Sequence, residues 1–277
     1  MARRNPFDAI YKSMVSVDTK RCYEEPLEFP KELHIELTNK CNLRCEFCPT
    51  GRRHIKRPMG NMREDLFWGI CTEAKEYGAA LRLIRWGEPT LNVRCYDYIK
   101  MAKSIGLLVH MNTNGINLNV KQILDSGLDS IKISLHNIKA VSDVNKLIKA
   151  RGRRKRPYIT VSQLSTELAQ RGIGRAEELP SISADKFTYG ETVNLSTGGR
   201  APKTCYELYN RLSIDWDGTV VACCGAYDRQ MKLGRVYDES TLKEIWDGKR
   251  LEIYRQMEQK HRLDLVPLCA HCARGSI

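Results

Sequence analysis

A short strand that empties into a cysteine loop constrains this chain more than any other stretch. In residues 33–51, Leu33, Ile35 and Leu37 alternate with His34, Glu36 and Thr38, the two-residue period of a strand. The strand runs straight into Cys41, Cys45 and Cys48, spaced C-x3-C-x2-C. Three thiolates so close in sequence can grip three corners of one iron–sulfur cube, and the loop has no fourth cysteine. Most iron–sulfur proteins fill all four positions with protein sulfur, so a loop of three leaves one iron for another ligand. A structural zinc is the alternative, but zinc takes four ligands and usually draws them from paired C-x2-C or C/H units.

Downstream, strands and helices alternate. A helix over about 63–77, with Leu66, Ile70 and Ala74 at helical spacing, precedes a strand at 79–85. Helices near 93–104, 120–126, 140–150 and 166–171 are each followed by a strand, at 107–112, 129–135, 158–162 and 186–195. Six strands alternating with helices predict an α/β fold with a parallel sheet, which right-handed crossovers would curl into a partial barrel. Ligands of such folds bind at the C-terminal strand ends. The cysteine loop, Trp86-Gly87-Glu88-Pro89, Asn112-Thr113-Asn114-Gly115, Ser134, and Asn194 with Leu195 all fall there.

The loop, with the aromatic Phe47 before its third cysteine, resembles the signature of the radical S-adenosylmethionine (radical SAM) enzymes. In that family the open iron is chelated by the methionine part of SAM. An electron from the reduced cluster breaks the sulfonium C–S bond, and the 5′-deoxyadenosyl radical takes hydrogen from an unactivated carbon. Trp86-Gly87-Glu88-Pro89 is similar to the family's Gly-Gly-Glu-Pro motif, with Trp86 in place of the first glycine. The resemblance implies a partial (β/α)6 TIM-like barrel over 33–200. It also implies SAM contacts from residues 86–89, where Glu88 would hold the ammonium, and from Ser134, which would meet the ribose. The Asp-Gly that many relatives carry after the fourth strand is missing here. Lys139 and Lys146 are candidates for the SAM carboxylate, or ordinary helix-surface lysines. His136 is a proton acceptor working near pH 7 or a partly buried polar residue.

From residue 201 the pattern changes. Two strands, 211–216 and 219–223, flank Asp217-Gly218, a hairpin signal, and a helix is predicted over about 241–258. Cys205, Cys223, Cys224, Cys269 and Cys272 surround them. Residues alternate faces along a strand, so only one of Cys223 and Cys224 points at a common metal, and Cys223 is the choice. The region resembles the twitch domain, a shortened SPASM region, down to a turn at Leu233-Gly234-Arg235-Val236 and the Leu242…Ile245-Trp246 helix. There it holds a second [4Fe–4S] cluster, which would assign Cys205, Cys223, Cys269 and Cys272 to it. Four thiolates would equally satisfy zinc. His271 reads as a bystander, and Cys22, Cys71 and Cys95 as ordinary thiols.

With 277 residues the chain can bury one full core plus a small appended unit. Residues 1–32 read as an extension with a short helix near 7–14. No apolar run approaches membrane-spanning length and the basic N-terminus has no apolar stretch after it, so a cytoplasmic location without a membrane partner is expected. Eleven cysteines in a reducing compartment point to metal binding or catalysis. The net charge is +12, and two thiolate-bound cubes would lower it by about three units. The remaining basic character suits a phosphorylated or nucleotide-linked small molecule and leaves nucleic acid open.

Among twitch-bearing relatives, the aminocyclitol dehydrogenase of butirosin biosynthesis, which oxidises 2-deoxy-scyllo-inosamine, is similar in size and cysteine spacing. The resemblance implies hydrogen abstraction from a carbohydrate-like or secondary-metabolite substrate, with dehydrogenation or epimerisation of an alcohol carbon. An external donor such as flavodoxin or ferredoxin would supply electrons. Arg200 would grip a substrate oxygen or phosphate. The alternatives are modification of a peptide side chain, of a nucleotide or nucleic acid, and a zinc-stabilised interaction protein.

Overall fold

In the computed structural model, which describes residues 3–15, 18–163, 182–189 and 200–272, strand β1 (Glu32–Ile35) pairs in parallel on both sides. On one side β2 (Ala80–Leu83), β3 (Val109–Thr113), β4 (Ser130–Leu135), β5 (Tyr158–Gln163) and β6 (Lys186–Tyr189) follow in order, all parallel. On the other side lie β7 (Arg211–Ile214), β8 (Thr219–Val221) and β9 (Lys232–Arg235), with β8 and β9 antiparallel. Helices α3 (Glu64–Glu76), α4 (Cys95–Ser104), α5 (Val120–Asp125) and α6 (Ala140–Arg151) connect the parallel strands. This is the expected open, partial TIM-like barrel; the first strand stops at Ile35, three residues before the end of the alternation, and the other described parallel strands and the helices between them end within two residues of the predicted positions. The predicted helix at 166–171 and residues 190–195 of the sixth strand lie outside the described residues.

The strands are two-faced for a physical reason. Leu33, Ile35, Leu81, Leu83, Met111 and Ile133 point one way and are fully buried in one core with Phe67, Ile70, Ile99, Val144 and Leu147 of the helices. Each contributes about 1.5–3 kcal/mol by leaving water. The opposite face carries Glu32, His34, Glu36 and His110, which are also buried. A half-exposed strand would place them in solvent; the barrel interior instead pairs them. Glu32 meets Arg211 at 2.7 Å, His34 at 3.2 Å and Arg82 at 3.6 Å.

The N-terminal extension closes the lower end of this interior. Helix α1 (Asp8–Val15) begins beside Phe7, whose ring sits 5.5 Å from that of His110, and the Tyr11 hydroxyl accepts from Arg82 at 2.7 Å. A second helix, α2 (Thr19–Glu24), was not visible in the sequence periodicity; Asp18 caps it by accepting from the Lys20 and Arg21 amides.

Two expectations for the C-terminal region need correction. Residues 232–235 form a third antiparallel strand, not a turn: Leu233 is buried beneath it, and Gly234 lets the backbone pass under Ile245, where a Cβ would come within 3.2 Å of Cδ1. The single helix predicted over 241–258 is two, α8 (Leu242–Trp246) and α9 (Lys249–Gln259). The break falls at Gly248, which is extended (ψ 148), and the buried Trp246 anchors the first piece by donating from Nε1 to the Leu27 carbonyl at 2.8 Å. The predicted Asp217-Gly218 hairpin is present, with Gly218 at φ +89, a left-handed conformation that suits glycine. No helix among the described residues is long and apolar enough to cross a membrane.

Candidate functional site

Leaving β1, Thr38 and Asn39 fold the next twenty residues back on themselves. Thr38 Oγ1 donates to the Gly60 carbonyl at 2.7 Å, Asn39 Nδ2 donates to that of Pro58 at 2.8 Å, and Asn39 Oδ1 accepts from the Gly60 amide. Within this fold Cys41, Cys45 and Cys48 are half-buried near one another. Burial, and then the neighbouring Cys48 and Cys41, push the Cys45 thiol up to about 12. The Leu43 amide points at Cys41 Sγ (3.5 Å), a contact that stabilises a thiolate. Gly51 is required by space: a Cβ there would fall 2.2 Å from the Cys45 carbonyl oxygen.

The turn after β2 is stitched to this loop. The Trp86 carbonyl accepts from Thr50 Oγ1. A Cβ on Gly87 would sit 2.0 Å from the Thr38 carbonyl oxygen, so only glycine permits the approach. Pro89 starts a single tight turn at 89–91. Glu88 is 2% exposed, and its carboxylate accepts from the Thr90 amide, Thr90 Oγ1, Thr113 Oγ1 and the Asn114 amide at 2.8–3.2 Å. Burial raises its pKa and these donors oppose the shift. Four donors fill the lone pairs of a carboxylate, so Glu88 ties the ends of β2 and β3 together. Asn114 Nδ2 in turn donates to Asn42 Oδ1 in the cysteine loop at 2.7 Å, and Asn112 Oδ1 pairs with His110 Nε2.

At the end of β4, Ser134 stands in register with Ser162 of β5. His136 lies 5.1 Å from the Phe47 ring, and burial lowers its pKa to about 4. A ring that neutral suits a wall residue better than a proton acceptor working near pH 7. Buried polar atoms without a hydrogen-bond partner among the described residues collect at these strand ends: Trp86 Nε1, His136 Nδ1 and Ser162 Oγ. Arg200 is exposed. Asn194 and Leu195 lie outside the described residues.

The second cysteine set comes together from four elements. Cys205 precedes α7 (Glu207–Asn210), Cys223 follows β8, Cys269 lies on α10 (Pro267–Ala270) and Cys272 just after it. Burial and the charges of Glu207 and Cys269 push Cys205 up to about 12; burial and Cys272 push Cys269 up to about 11. Cys223 is raised by its hydrogen bond with Cys224, by burial and by the charge of Cys205, and its Sγ accepts from the Gly225 amide at 3.3 Å. Cys224 also meets His34 on β1: burial would lower that imidazole, but Cys224 and Glu32 raise it. His271 is exposed, Cys71 and Cys95 are fully buried, and all eleven cysteines are free.

Among the described residues no three His, Cys, Asp or Glu side chains are close enough to share a single metal ion. The amide contacts on Cys41 and Cys223 favour thiolates, the form in which cysteine binds iron, so this donor set fits iron–sulfur clusters.

Sequence patterning missed what joins the two sets. Arg57 grips Glu36 with two bonds of 2.6 Å, and Arg85 binds Asp215 at 2.7 Å while donating to the carbonyls of Cys223 (3.4 Å), Cys224 (3.2 Å) and Ala226 (3.1 Å). The Trp86 amide reaches Glu36 at 3.3 Å, and the Trp86 ring stands edge-on to Tyr227 with centroids 5.9 Å apart. The available signal was a carboxylate directly after each of two neighbouring strands, Glu36 after β1 and Asp215 after β7.

Comparison with known proteins agrees with this geometry. Residues 35–172 match the Radical SAM superfamily, and residues 205–273 match SPASM, an iron–sulfur cluster-binding domain. The tungsten-containing aldehyde ferredoxin oxidoreductase cofactor-modifying protein of Pyrococcus furiosus is 32% identical over 120 residues, 41% of this chain and 33% of that protein. A probable GTP 3′,8-cyclase of Sulfolobus acidocaldarius is 33% identical over 138 residues, 47% of this chain and 42% of that one. The match thus spans between a third and a half of the length of these relatives. In fold, the chain is similar to BtrN in complex with AdoMet and 2-DOIA (TM-score 0.66, 17% identity, 88% of this chain and 93% of that one). It is also similar to Streptococcus suis SuiB bound to precursor peptide SuiA (TM-score 0.56, 15% identity, 91% and 72%). The chain belongs to the radical SAM superfamily and is a radical SAM enzyme whose cofactors are SAM, the [4Fe–4S] cluster that binds it, and an auxiliary iron–sulfur cluster.

Proposed function

We propose that this enzyme abstracts hydrogen from an alcohol carbon of a small, oxygen-rich, carbohydrate-like substrate and oxidises or epimerises it. The observation that carries the reading is the buried Arg85–Asp215 tether, which joins the turn before Trp86 to the backbone of Cys223 and Cys224. A cofactor site and an auxiliary site held rigidly against one polar interior suit a reaction that starts with hydrogen removal and ends with an electron leaving. The fold likeness to BtrN, which covers 88% of this chain, supports a small carbohydrate-like substrate.

Residues 33–200 form the radical SAM unit in this reading, residues 201–277 the auxiliary unit and 1–32 the seal. Cys41, Cys45 and Cys48 hold the first cluster, and Cys205, Cys223, Cys269 and Cys272 the second. When bound, the reduced cluster and SAM supply a 5′-deoxyadenosyl radical. The chain's own groups do the rest. The raised thiols must give up protons to become ligands, so loading releases acid. Glu88 locks Thr90, Thr113 and Asn114 in one arrangement, which keeps the strand-end carbonyls and amides aimed at SAM. Phe47 packs against the neutral His136, which steadies the cysteine loop against the end of β4. Ser134 and Ser162 present hydroxyls from adjacent strands. Free thiols throughout suit a reducing cytoplasm, where flavodoxin or ferredoxin would deliver electrons.

Anaerobic reconstitution tests the reading. About eight irons per chain are expected, with 5′-deoxyadenosine formed under reduction. Candidate alcohols deuterated at the carbinol carbon should pass deuterium to that nucleoside. Deuterium arriving only from a peptide or a nucleotide would overturn it.

A further inference from the structure

In the inward row below the strand ends, one cation has no partner among the described residues. Asn112, Lys132, Thr160 and Lys186 stand side by side in register across β3 to β6. Lys132 makes no hydrogen bond or ion pair with any described residue, although it is only partly exposed. The charged groups that act on it, Arg82 and Lys186, are both positive. Glu32, the inward carboxylate of β1, is already shared by Arg82, Arg211 and His34. His110 beside them is held uncharged by burial and by the charges of Arg82 and Lys132.

Burying an ammonium without a counter-ion is costly, so the arrangement persists because a partner arrives. Two fully buried hydroxyls bracket the lysine and lack partners among the described residues: Ser130 Oγ on the row beneath and Ser162 Oγ on the row above. Lys132 lies two residues, about 7 Å, deeper than Ser134, the strand-end position assigned to SAM. It therefore faces what sits under the cofactor. Among the described residues β6 is the edge strand of the sheet, and Lys186 is exposed there.

We infer that the row around Lys132 is a substrate subsite that receives a phosphate or carboxylate, so the enzyme's substrate is anionic. The inference rests on the radical SAM reading of the strand ends and narrows its substrate class.

The test titrates inorganic phosphate, and separately acetate, into the reconstituted, SAM-saturated enzyme by calorimetry. With its own site filled, SAM cannot mask the signal. Wild type binds one of the anions; Lys132→Met weakens that binding at least about tenfold, and Lys132→Arg retains it. SAM affinity of Lys132→Met stays within about twofold, and its melting temperature without anion does not fall, because an unpaired charge has been removed. Equal anion binding by wild type and Lys132→Met, or none by wild type, overturns the inference. So does a tenfold loss of SAM affinity, which would assign Lys132 to the cofactor carboxylate, or a drop in melting temperature, which would make the lysine structural. Formation of 5′-deoxyadenosine by wild type is read separately, so failure of the radical reading is distinguishable from failure of the subsite.

Discussion

Arg85 Nη2 lies 2.7 Å from Asp215 Oδ1, and the same guanidinium donates to the backbone carbonyls of Cys223 and Cys224. Both side chains are fully buried. The residue before the Trp86–Pro89 turn is thereby bolted to the end of β7 and to the backbone just past β8. Burial raises the Asp215 carboxyl, and Arg85 and Arg57 act against that rise.

Replacing Arg85 by Met should leave Asp215 buried with only longer contacts, to Arg229 at 3.5 Å and Arg57 at 3.8 Å. Breaking a buried pair from one side costs about 3–5 kcal/mol, a fall in melting temperature on the order of 10 °C. The double variant Arg85→Met/Asp215→Leu should recover part of it. A single variant that melts like wild type would show that the tether carries no stability.

Gly87→Ala places a methyl where the Thr38 carbonyl oxygen already stands. Overpacking of this kind costs about 1–3 kcal/mol, and the turn must move away from the cysteine loop. SAM affinity, measured by equilibrium dialysis, should fall at least about tenfold, while the iron content stays at the wild-type level.

Cysteine replacement separates the two neighbours on β8's exit. Cys223→Ser should remove about four irons per chain, as should Cys205→Ser. Cys224→Ser should keep them, because that thiol meets His34. Loss of iron from the Cys224 variant with retention in the Cys223 variant would reverse the ligand assignment.

His136 makes stability depend on acid. Burial lowers its pKa to about 4 in the fold, against an unfolded value near 6.5. The unfolded chain binds the proton more readily, so this contribution is complete above pH 6.5 and is lost as pH falls toward 4. Discounted for partial exposure, it amounts to about 2 kcal/mol. Urea melts at pH 5 and pH 7 should differ more for wild type than for His136→Asn. An equal difference for both would mean that the imidazole is solvated in the fold.

The alternation of helices and strands was legible because each strand presents an unbroken apolar face, as Leu33 and Ile35 do, while α3 repeats Leu66, Ile70 and Ala74 at helical spacing. Positions 232–235 misled because a central glycine reads as a turn, when here it makes room for Ile245. The helix break at Gly248 was hidden by good helix formers on both sides. The motif marked Glu88 without showing its partners; the Thr113 hydroxyl and the Asn114 amide reach it from the end of β3, beside Thr90 of its own turn.

Local sequence determined the strand-and-loop signature, the order of the strands and the cysteines offered to iron, because period and spacing act over a few residues. Tertiary structure alone decided which buried charges meet. Glu36 finds Arg57, Asp215 finds Arg85 across 130 positions, and Lys132 finds no partner among the described residues. Pairing of that kind depends on which strands become neighbours, and no spacing along the chain encodes it.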